Sequence, residues 1–296
     1  MPADFSLEPG SLWKVMRTRT LEARQSGALQ AIPTRTATIE EGGIVFEIRI
    51  VQALEQKAQP QSGPIKVDPF LPYDAELFVG EISPTHFVLL NKYSVVDHHV
   101  LMVTHAFEDQ ETLLTRTDCD VLLRSLAEVD GLAFYNSGPI AGGSQPHKHL
   151  QLIPLSADGG PRVPIEPLLA GMTSSGTIPR LPYLHAYAPM DPKWLHAGRE
   201  NADALRNCYR SLLDAVNMPV EPAFGGLERT GPYNLLATRR WLLLVPRIRE
   251  FFEGISINAL GLAGLFLAKN DGQLDTLGTH GPLAALRHVT KPPVAR

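Results

Sequence analysis

The residues from Gly142 to Pro154 read GGSQPHKHLQLIP. Two histidines stand two apart, a glutamine stands two further on, and small residues precede them. Along an extended strand, residues i, i+2 and i+4 project to one face. His147, His149 and Gln151 therefore line up, while Leu150 and Leu152 turn to the other side and can enter a core. Lys148 starts on that apolar side, where its head is expected to escape to water. Three readings suit such a face. Paired histidines can share a metal, but a third ligand is missing, glutamine is a poor zinc ligand, and no HExxH or acidic neighbour accompanies them. A wet sheet face is the ordinary reading of an isolated HxH. The third reading takes in the loop. Gly142, Gly143, Ser144 and Gln145 offer backbone N–H groups with little side-chain obstruction, a stretch that can wrap an anion. A neutral imidazole beside such a cradle can attack phosphorus if its tautomer is fixed. A nearby backbone carbonyl would fix it without adding charge. Gln151 can then donate its amide N–H to a non-bridging oxygen as charge develops there. This reading gives all three polar side chains one chemistry.

The elements that must hold these residues can be read around them. LAFYN before the loop and HKHLQLIP after it read as strands. HFVLLN and HVLMVT flank KYSVVD as a strand–loop–strand unit. Ile44, Phe46, Ile48 and Ile50 alternate along a half-buried strand. The spacing predicts a helix over 11–26, with Ser11 as N-cap and Gly27 as its stop. TDCDVLLRSLAEVDG predicts a second helix, with Thr117 and Asp120 fitting a capping pattern and Gly131 ending it. A third covers Arg199 to Val216, with Leu205, Tyr209, Leu212 and Val216 on one face. The run EQKAQPQSGPIKVDPFLPY reads as loop. From Ser156 to Pro192 seven prolines forbid long regular elements. YNLLAT and WLLLVPR form a further strand pair. Their order matches that of the FVLLN and HVLMVT pair, which suggests two related α+β halves; two ordinary hairpins would give the same pattern.

Bulk properties bound the rest. The chain has 296 residues, 44% hydrophobic, enough for a sizeable core in one large domain or two small ones. A net charge of -4 argues against broad nucleic-acid binding, though not against local basic pockets for phosphate. The two cysteines, Cys119 and Cys208, form neither a CxxC site nor a disulfide framework. MPADFSLEPG lacks the apolar core of a signal peptide, and NALGLAGLFLAK is too short to span a bilayer. A cytoplasmic protein with no membrane partner is the expectation.

FYNSG, followed by GGSQPHKHLQLIP, resembles the active strand of the histidine-triad superfamily in its transferase branch. The chain as a whole is similar to the ATP adenylyltransferases, also called diadenosine tetraphosphate (Ap4A) phosphorylases. DPFLPY at 68–73, LLNKYSVVDHHVLMVTHAFEDQ at 89–110, GPYNLLATRRWLLLVPR at 231–247 and GISINALGLAGLFLAK at 254–269 follow in that family's order. The resemblance implies an α+β fold, a HIT-like antiparallel sheet with flanking helices in two pseudo-repeated halves. Residues 1–160 would form the half with the active strand, 161–198 a Pro-rich connection, and 199–296 the second half.

It implies a reaction too: Ap4A and inorganic phosphate yield ATP and ADP, reversibly, through an adenylyl group on histidine. By resemblance His149 is the nucleophile, His147 supports it, and Gln151 binds phosphate. Where hydrolases of the superfamily carry a third histidine, glutamine cannot act as acid or base, which favours transfer to phosphate over hydrolysis. Asn136 would bond phosphate or ribose, although it also suits a plain turn. Gly142 to Gln145 would hold the phosphates; alanine or serine is expected where Gly143 stands, a mild departure. Asn91 and Lys92 would meet the nucleotide at a strand end. Lys57 would contact the polyphosphate, although a solvated surface lysine is otherwise the better reading. His99 occupies a superfamily histidine position. Tyr233, Asn234, Arg240 and Arg247 would close the pocket over the other nucleotide. Mg²⁺ is expected to accompany the nucleotide, with no protein metal site and no tightly bound organic cofactor. Two other readings stay open: a nucleotidyltransferase with a sugar phosphate acceptor, and a non-catalytic nucleotide-binding protein. Oligomeric state is not legible.

Overall fold

Eight strands pair antiparallel with their neighbours into one sheet. The structure, a computed structural model, describes residues 6–51, 68–155, 163–196 and 198–293. From one edge the strands run β3 (Phe78–Ser83), β4 (His86–Leu90), β5 (Val100–Thr104), β7 (His149–Pro154) and β6 (Gly131–Asn136). Tyr233–Ala237, Trp241–Pro246 and β8 (Ala186–Pro189) complete the order. The active strand β7 thus lies in the interior of the sheet, where neighbours on both sides hold its backbone. The strand pairs from the two ends of the chain meet in this sheet, joined where Asn234 faces Asn136. The Pro-rich stretch contributes four-residue elements, among them β8 as the edge strand opposite β3. The α+β class and antiparallel sheet expected from the sequence are present.

One face of the sheet packs on helices α1 (Leu12–Ser26), α2 (Arg116–Glu128) and α3 (Arg199–Ala215). Leu150 and Leu152 enter this core beside Met102, Ala133, Leu122 and Leu205, as their parity requires. On the other face, Leu132, Phe134, Ile153, Leu236 and Leu243 meet a three-stranded sheet. That sheet is built of β1 (Thr34–Glu41), β2 (Ile44–Val51) and Leu265–Ala268, with helices α4 (Ala259–Leu262), α5 (Asp271–His280) and α6 (Pro282–Val289) around it. Ile44, Phe46, Ile48 and Ile50 are all buried there. At the β3–β5 end a smaller cluster of Phe70, Phe78, Phe87, Leu89 and Val103 takes over.

Helix boundaries differ from expectation at the caps. Ser11 makes no capping bond, because its backbone is already helical at φ -96 and ψ -17, and an N-cap side chain needs an extended backbone to turn back. The Leu12 N–H donates instead to Glu128 Oε2, 2.7 Å away. Gly27 does end α1 in the left-handed region, at φ 81. Helix α2 is capped by Thr115, not Thr117: Thr115 is extended at ψ 175 and forms a reciprocal capping box with Asp118. Gly131 opens β6 rather than closing α2; a Cβ there would meet the Ile153 carbonyl at 2.8 Å. No helix among the described residues is long and apolar enough to cross a membrane.

Candidate active site

A cleft of about 900 Å³ opens over β4, β5 and β7. His149 and Gln151 reach it from β7, Leu89 and Leu101 from β4 and β5, and Ser144 and Gln145 from the glycine loop. Asn91 and Lys92 enter from the β4–β5 turn, and the segment from Pro69 to Leu77 supplies an apolar wall with Asp74 in it. Lys57 lies outside the described residues.

His149 is 4% exposed. Its Nδ1 sits 2.8 Å from the His147 carbonyl. A carbonyl can only accept, so Nδ1 carries the proton and Nε2 keeps its lone pair for the cleft. Burial, the largest influence, lowers the His149 pKa to about 4; the bond to His147 opposes this, and the neighbouring His147 ring adds to it. The imidazole is neutral at physiological pH. The fixed tautomer anticipated from the sequence is present, supplied by the main chain. The Phe70 ring packs edge-on, its centroid 5.1 Å from that of His149.

The side chain of His147 is fully buried, away from the cleft. Its Nδ1 faces the Asp68 carboxylate at 2.8 Å and its Nε2 faces Thr104 Oγ1 at 3.0 Å. The ring thereby ties the wall segment to β7. Lys148 corrects the sequence reading: it does not reach water but is 1% exposed. Its ammonium bonds Asp118 at 2.8 Å, Glu108 at 2.9 Å and the Leu113 carbonyl at 2.9 Å. The first turn of α2 fills the route outward, and its buried carboxylate supplies the counter-charge that makes burial tolerable. Asp118 is held far below the usual carboxylate range; burial pushes it up, but Lys148 and His86 outweigh that.

Gln110 was not singled out in the sequence and proves central. It is 1% exposed. Its Oε1 accepts the His149 N–H at 2.8 Å, and its Nε2 donates to the carbonyls of Asn136 at 2.9 Å and His149 at 3.2 Å. The β6–β7 pairing ends where Phe134 faces Gln151, and beyond it the main chains of Asn136 and His149 are bridged by this amide. The Gln110 amide fills the ladder at that point. Asp68 was likewise overlooked. The available signal was type against pattern: a glutamine and an aspartate inside motifs otherwise dominated by apolar and loop residues.

The loop needs its glycines, but in a different way than expected. The N–H groups of Gly142 and Gly143 bond Pro139 and Gly138 carbonyls within the loop, at 2.8 and 2.9 Å, so they are not free for an anion. Ser144 and Gln145 are the loop residues that line the cleft. Gly143 is no mild departure: a Cβ there would stand 2.9 Å from the carbonyl oxygens of both Asn136 and Gly138.

The second-half candidates do not gather at the cleft. Tyr233 is fully buried, with its hydroxyl 2.6 Å from that of Tyr209. Arg240 is exposed and paired with Glu166 at another hollow, beside Trp241. Asn234 and Arg247 are buried behind the loop. Arg247 Nη1 donates to Asn234 Oδ1 at 2.6 Å; Asn234 Nδ2 donates in turn to Asn136 Oδ1 at 2.7 Å and the Ala141 carbonyl at 2.8 Å. A guanidinium only donates, so the sense of this chain is fixed. Asn136 Oδ1 also accepts the Ala259 N–H at 3.1 Å, while Asn136 Nδ2, buried, has no partner among the described residues. A buried donor without a partner next to the glycine loop fits a ligand oxygen.

Antiparallel sheet, glycine loop and a cleft holding a neutral imidazole among amide donors and a lysine are those of a nucleotidyltransferase. Residues 2–171 match the Ap4A phosphorylase N-terminal domain, and residues 179–292 match the ATP adenylyltransferase C-terminal domain. The chain belongs to the Ap4A phosphorylase (ATP adenylyltransferase) family. It is 31% identical over 253 residues to diadenosine 5',5'''-P1,P4-tetraphosphate phosphorylase 2 of Saccharomyces cerevisiae, covering 76% of each chain. The solved structure of yeast Ap4A phosphorylase Apa2 in complex with AMP is 25% identical, with a TM-score of 0.79 over 98% of this chain and 99% of that one. Apa2 in complex with Ap4A superposes with a TM-score of 0.77 at 23% identity, over 96% and 98% of the two chains.

Proposed function

We propose that the protein cleaves Ap4A with inorganic phosphate to ATP and ADP, reversibly, through an adenylyl group carried on His149 Nε2. The observation that carries this reading is the bond from His149 Nδ1 to the His147 carbonyl, which leaves a buried, neutral Nε2 at the cleft. The lone pair attacks the phosphorus next to one adenosine. The bond from that phosphorus to the bridging oxygen breaks, and ATP leaves with the electron pair. The ring now carries positive charge, and its Nδ1–H continues to donate to the carbonyl. An oxygen of inorganic phosphate then attacks the same phosphorus, the P–N bond breaks, and ADP departs with the imidazole neutral again. Leaving group and acceptor are both phosphate oxygens that need no protonation, so Gln151, which cannot exchange protons, suits the site.

The polar groups of the cleft divide the phosphate charge among them. Gln151 donates to non-bridging oxygens and Lys92 supplies formal charge, while the buried, unpartnered Asn136 Nδ2 is left to donate to a ligand oxygen. The apolar wall of Phe70, Pro72, Leu77 and Leu89 offers a surface for an adenine ring. Among the described residues no group of three His, Cys, Asp or Glu converges as a metal site, and Asp74 is the carboxylate that lines the cleft. A magnesium ion would therefore be held chiefly by oxygens of the polyphosphate it arrives with, neutralising part of its charge.

Incubation with Ap4A and phosphate, followed by nucleotide chromatography, tests the reaction: ATP and ADP in equal amounts are expected, and AMP as the main product would overturn it. Two variants probe the phosphate contacts. Lys92→Ala is expected to weaken apparent affinity for Ap4A or phosphate by at least about tenfold, the loss of one charge-assisted contact, and to leave adenosine binding unchanged. Equal losses for adenosine and Ap4A would place Lys92 at the base or in the fold. Gly143→Ala is expected to push the loop off two carbonyls at a cost of about 1–3 kcal/mol and to lower kcat/KM about tenfold or more. Unchanged kinetics in that variant would mean the loop does not position substrate.

A further inference from the structure

Gln151 faces the cleft with an amide whose two ends behave oppositely. The NH2 attracts a phosphate oxygen; the carbonyl oxygen repels it. Rotation by half a turn about the last side-chain bond exchanges the two ends. Something must hold the productive orientation, and the β4–β5 turn contains a chain of bonds that does so.

The chain starts at a main-chain donor. The Tyr93 N–H lies 3.3 Å from Asn91 Oδ1, and an N–H can only donate. Asn91 therefore turns its Nδ2 toward His99 Nδ1, at 3.1 Å, and that nitrogen must accept. A neutral imidazole that accepts at Nδ1 carries its hydrogen on Nε2. His99 Nε2 sits 2.9 Å from Gln151 Oε1, so that oxygen is engaged and the Gln151 NH2 is left for the cleft. A second proton on His99 would set its Nδ1–H against the Asn91 NH2. Burial also keeps the ring neutral: His99 is 6% exposed, and desolvation lowers its pKa to about 4. The frame around the chain is rigid. The Asn91 N–H bonds the His99 carbonyl at 2.8 Å, and Leu101, two residues on, pairs with Gln151 across β5 and β7.

We infer that Asn91 and His99 are positioning residues: through the sequence Tyr93 N–H, Asn91, His99, they lock the Gln151 amide with its NH2 toward the transferring phosphoryl group. The inference rests on the proposed roles of His149 and Gln151. It gives Asn91 and His99 a task apart from touching the nucleotide, and it makes Gln151 an obligate donor.

The test is a double-mutant cycle on Ap4A phosphorolysis, with kcat, KM and the rate of adenylyl transfer to protein measured separately. His99→Phe is expected to lower kcat about tenfold and to change KM for Ap4A by less than about threefold. His99→Gln, whose amide N–H can reach the same oxygen, is expected to recover kcat to within about threefold of the parent. In a Gln151→Met background His99→Phe is expected to add no loss, because there is no amide left to orient. Asn91→Leu, at a half-buried position, repeats the measurement if His99→Phe does not fold: about a threefold fall in kcat with Gln151 present and none in the Gln151→Met background. Equal losses in the two backgrounds, or equal losses for the Phe and Gln variants, would reduce His99 to a packing residue and overturn the inference, as would a kcat within twofold of the parent for His99→Phe. Failure of the underlying reading is seen separately, as protein that takes up no adenylyl label while still turning over.

Discussion

His149→Ala is expected to lose phosphorolysis by roughly three orders of magnitude or more, together with all covalent adenylyl labelling, while the fold persists. The replacement removes the attacking nitrogen outright, and no neighbour can take its place. The other histidine of the motif has its nitrogens turned to Asp68 and Thr104, and His99 Nε2 is turned to Gln151. The backbone N–H of residue 149 keeps its bond to Gln110 Oε1. What is lost structurally is one hydrogen bond to a carbonyl, about 1 kcal/mol, and the edge-on packing against Phe70 at the cleft. A second readout uses acidity. Burial sets the His149 pKa at about 4 against an ordinary 6.5, so the nucleophile stays unprotonated through mildly acid pH. The kcat/KM profile should therefore show no His149 limb near 6.5; that limb should fall near pH 4. The linkage has a definite sign. Between 6.5 and 4 the unfolded chain takes a proton on this imidazole and the folded one does not, so its contribution to stability falls as pH drops through that window. Appreciable turnover by the variant, measured with pure protein, would remove His149 from the reaction.

What the sequence revealed follows from how local each feature is. β2 and β7 were legible because a side-chain period of two is written directly in the order of residues: Ile44 to Ile50 on one strand, His149, Leu150, Gln151 and Leu152 on the other. The three long helices were legible from the same kind of repeat, but their starts depended on one residue's backbone angles, and there Ser11 and Thr117 misled. β1 was missed because the apolar alternation of Thr34–Glu41 is reduced to Ala37 and Ile39; it is held by pairing with β2. The site divides in the same way. His149 and Gln151 share a strand with their motif, so their common face could be read. The partners of Lys148 come from 40 and 30 positions away, Glu108 and Asp118, and nothing in the strand forecasts them. Asn234 and Arg247 were expected to close the pocket and instead are buried against the loop, since spacing along a chain does not say which face of a glycine turn a distant strand supports.

Arg247 is where that distant support is strongest, and Arg247→Leu is expected to lower stability by about 3 kcal/mol or more. The guanidinium is 1% exposed and donates to the carbonyls of Val289, Ala141, Arg249 and Ile257 and to Asn234 Oδ1, at 2.6 to 3.4 Å. Burial lowers its pKa to about 10, partly offset by Glu250 and Tyr183, which still leaves it charged at neutral pH. Leucine would strand acceptors from four segments in the interior, each costing about 1–3 kcal/mol unless water enters. Melting should fall by at least about 5 °C. Arginine also sets polarity. Without Nη1 the sense of the Asn234 amide rests on the Ala141 carbonyl alone, and a turned amide would present its oxygen to Asn136 Oδ1 and force Asn136 to give up the Ala259 N–H. The unpartnered Asn136 donor would then be replaced by an acceptor. Phosphorolysis should therefore drop beyond the unfolded fraction, even well below the melting temperature. Arg247→Lys separates the two effects: it keeps a charge and donors that can reach Asn234, so it should lose stability but retain more of the turnover per folded molecule. A leucine variant that melts within about 2 °C of the parent would show that the carbonyl cage contributes little. One that unfolds early yet turns over normally when folded would show that the Asn136 amide holds its sense without Arg247.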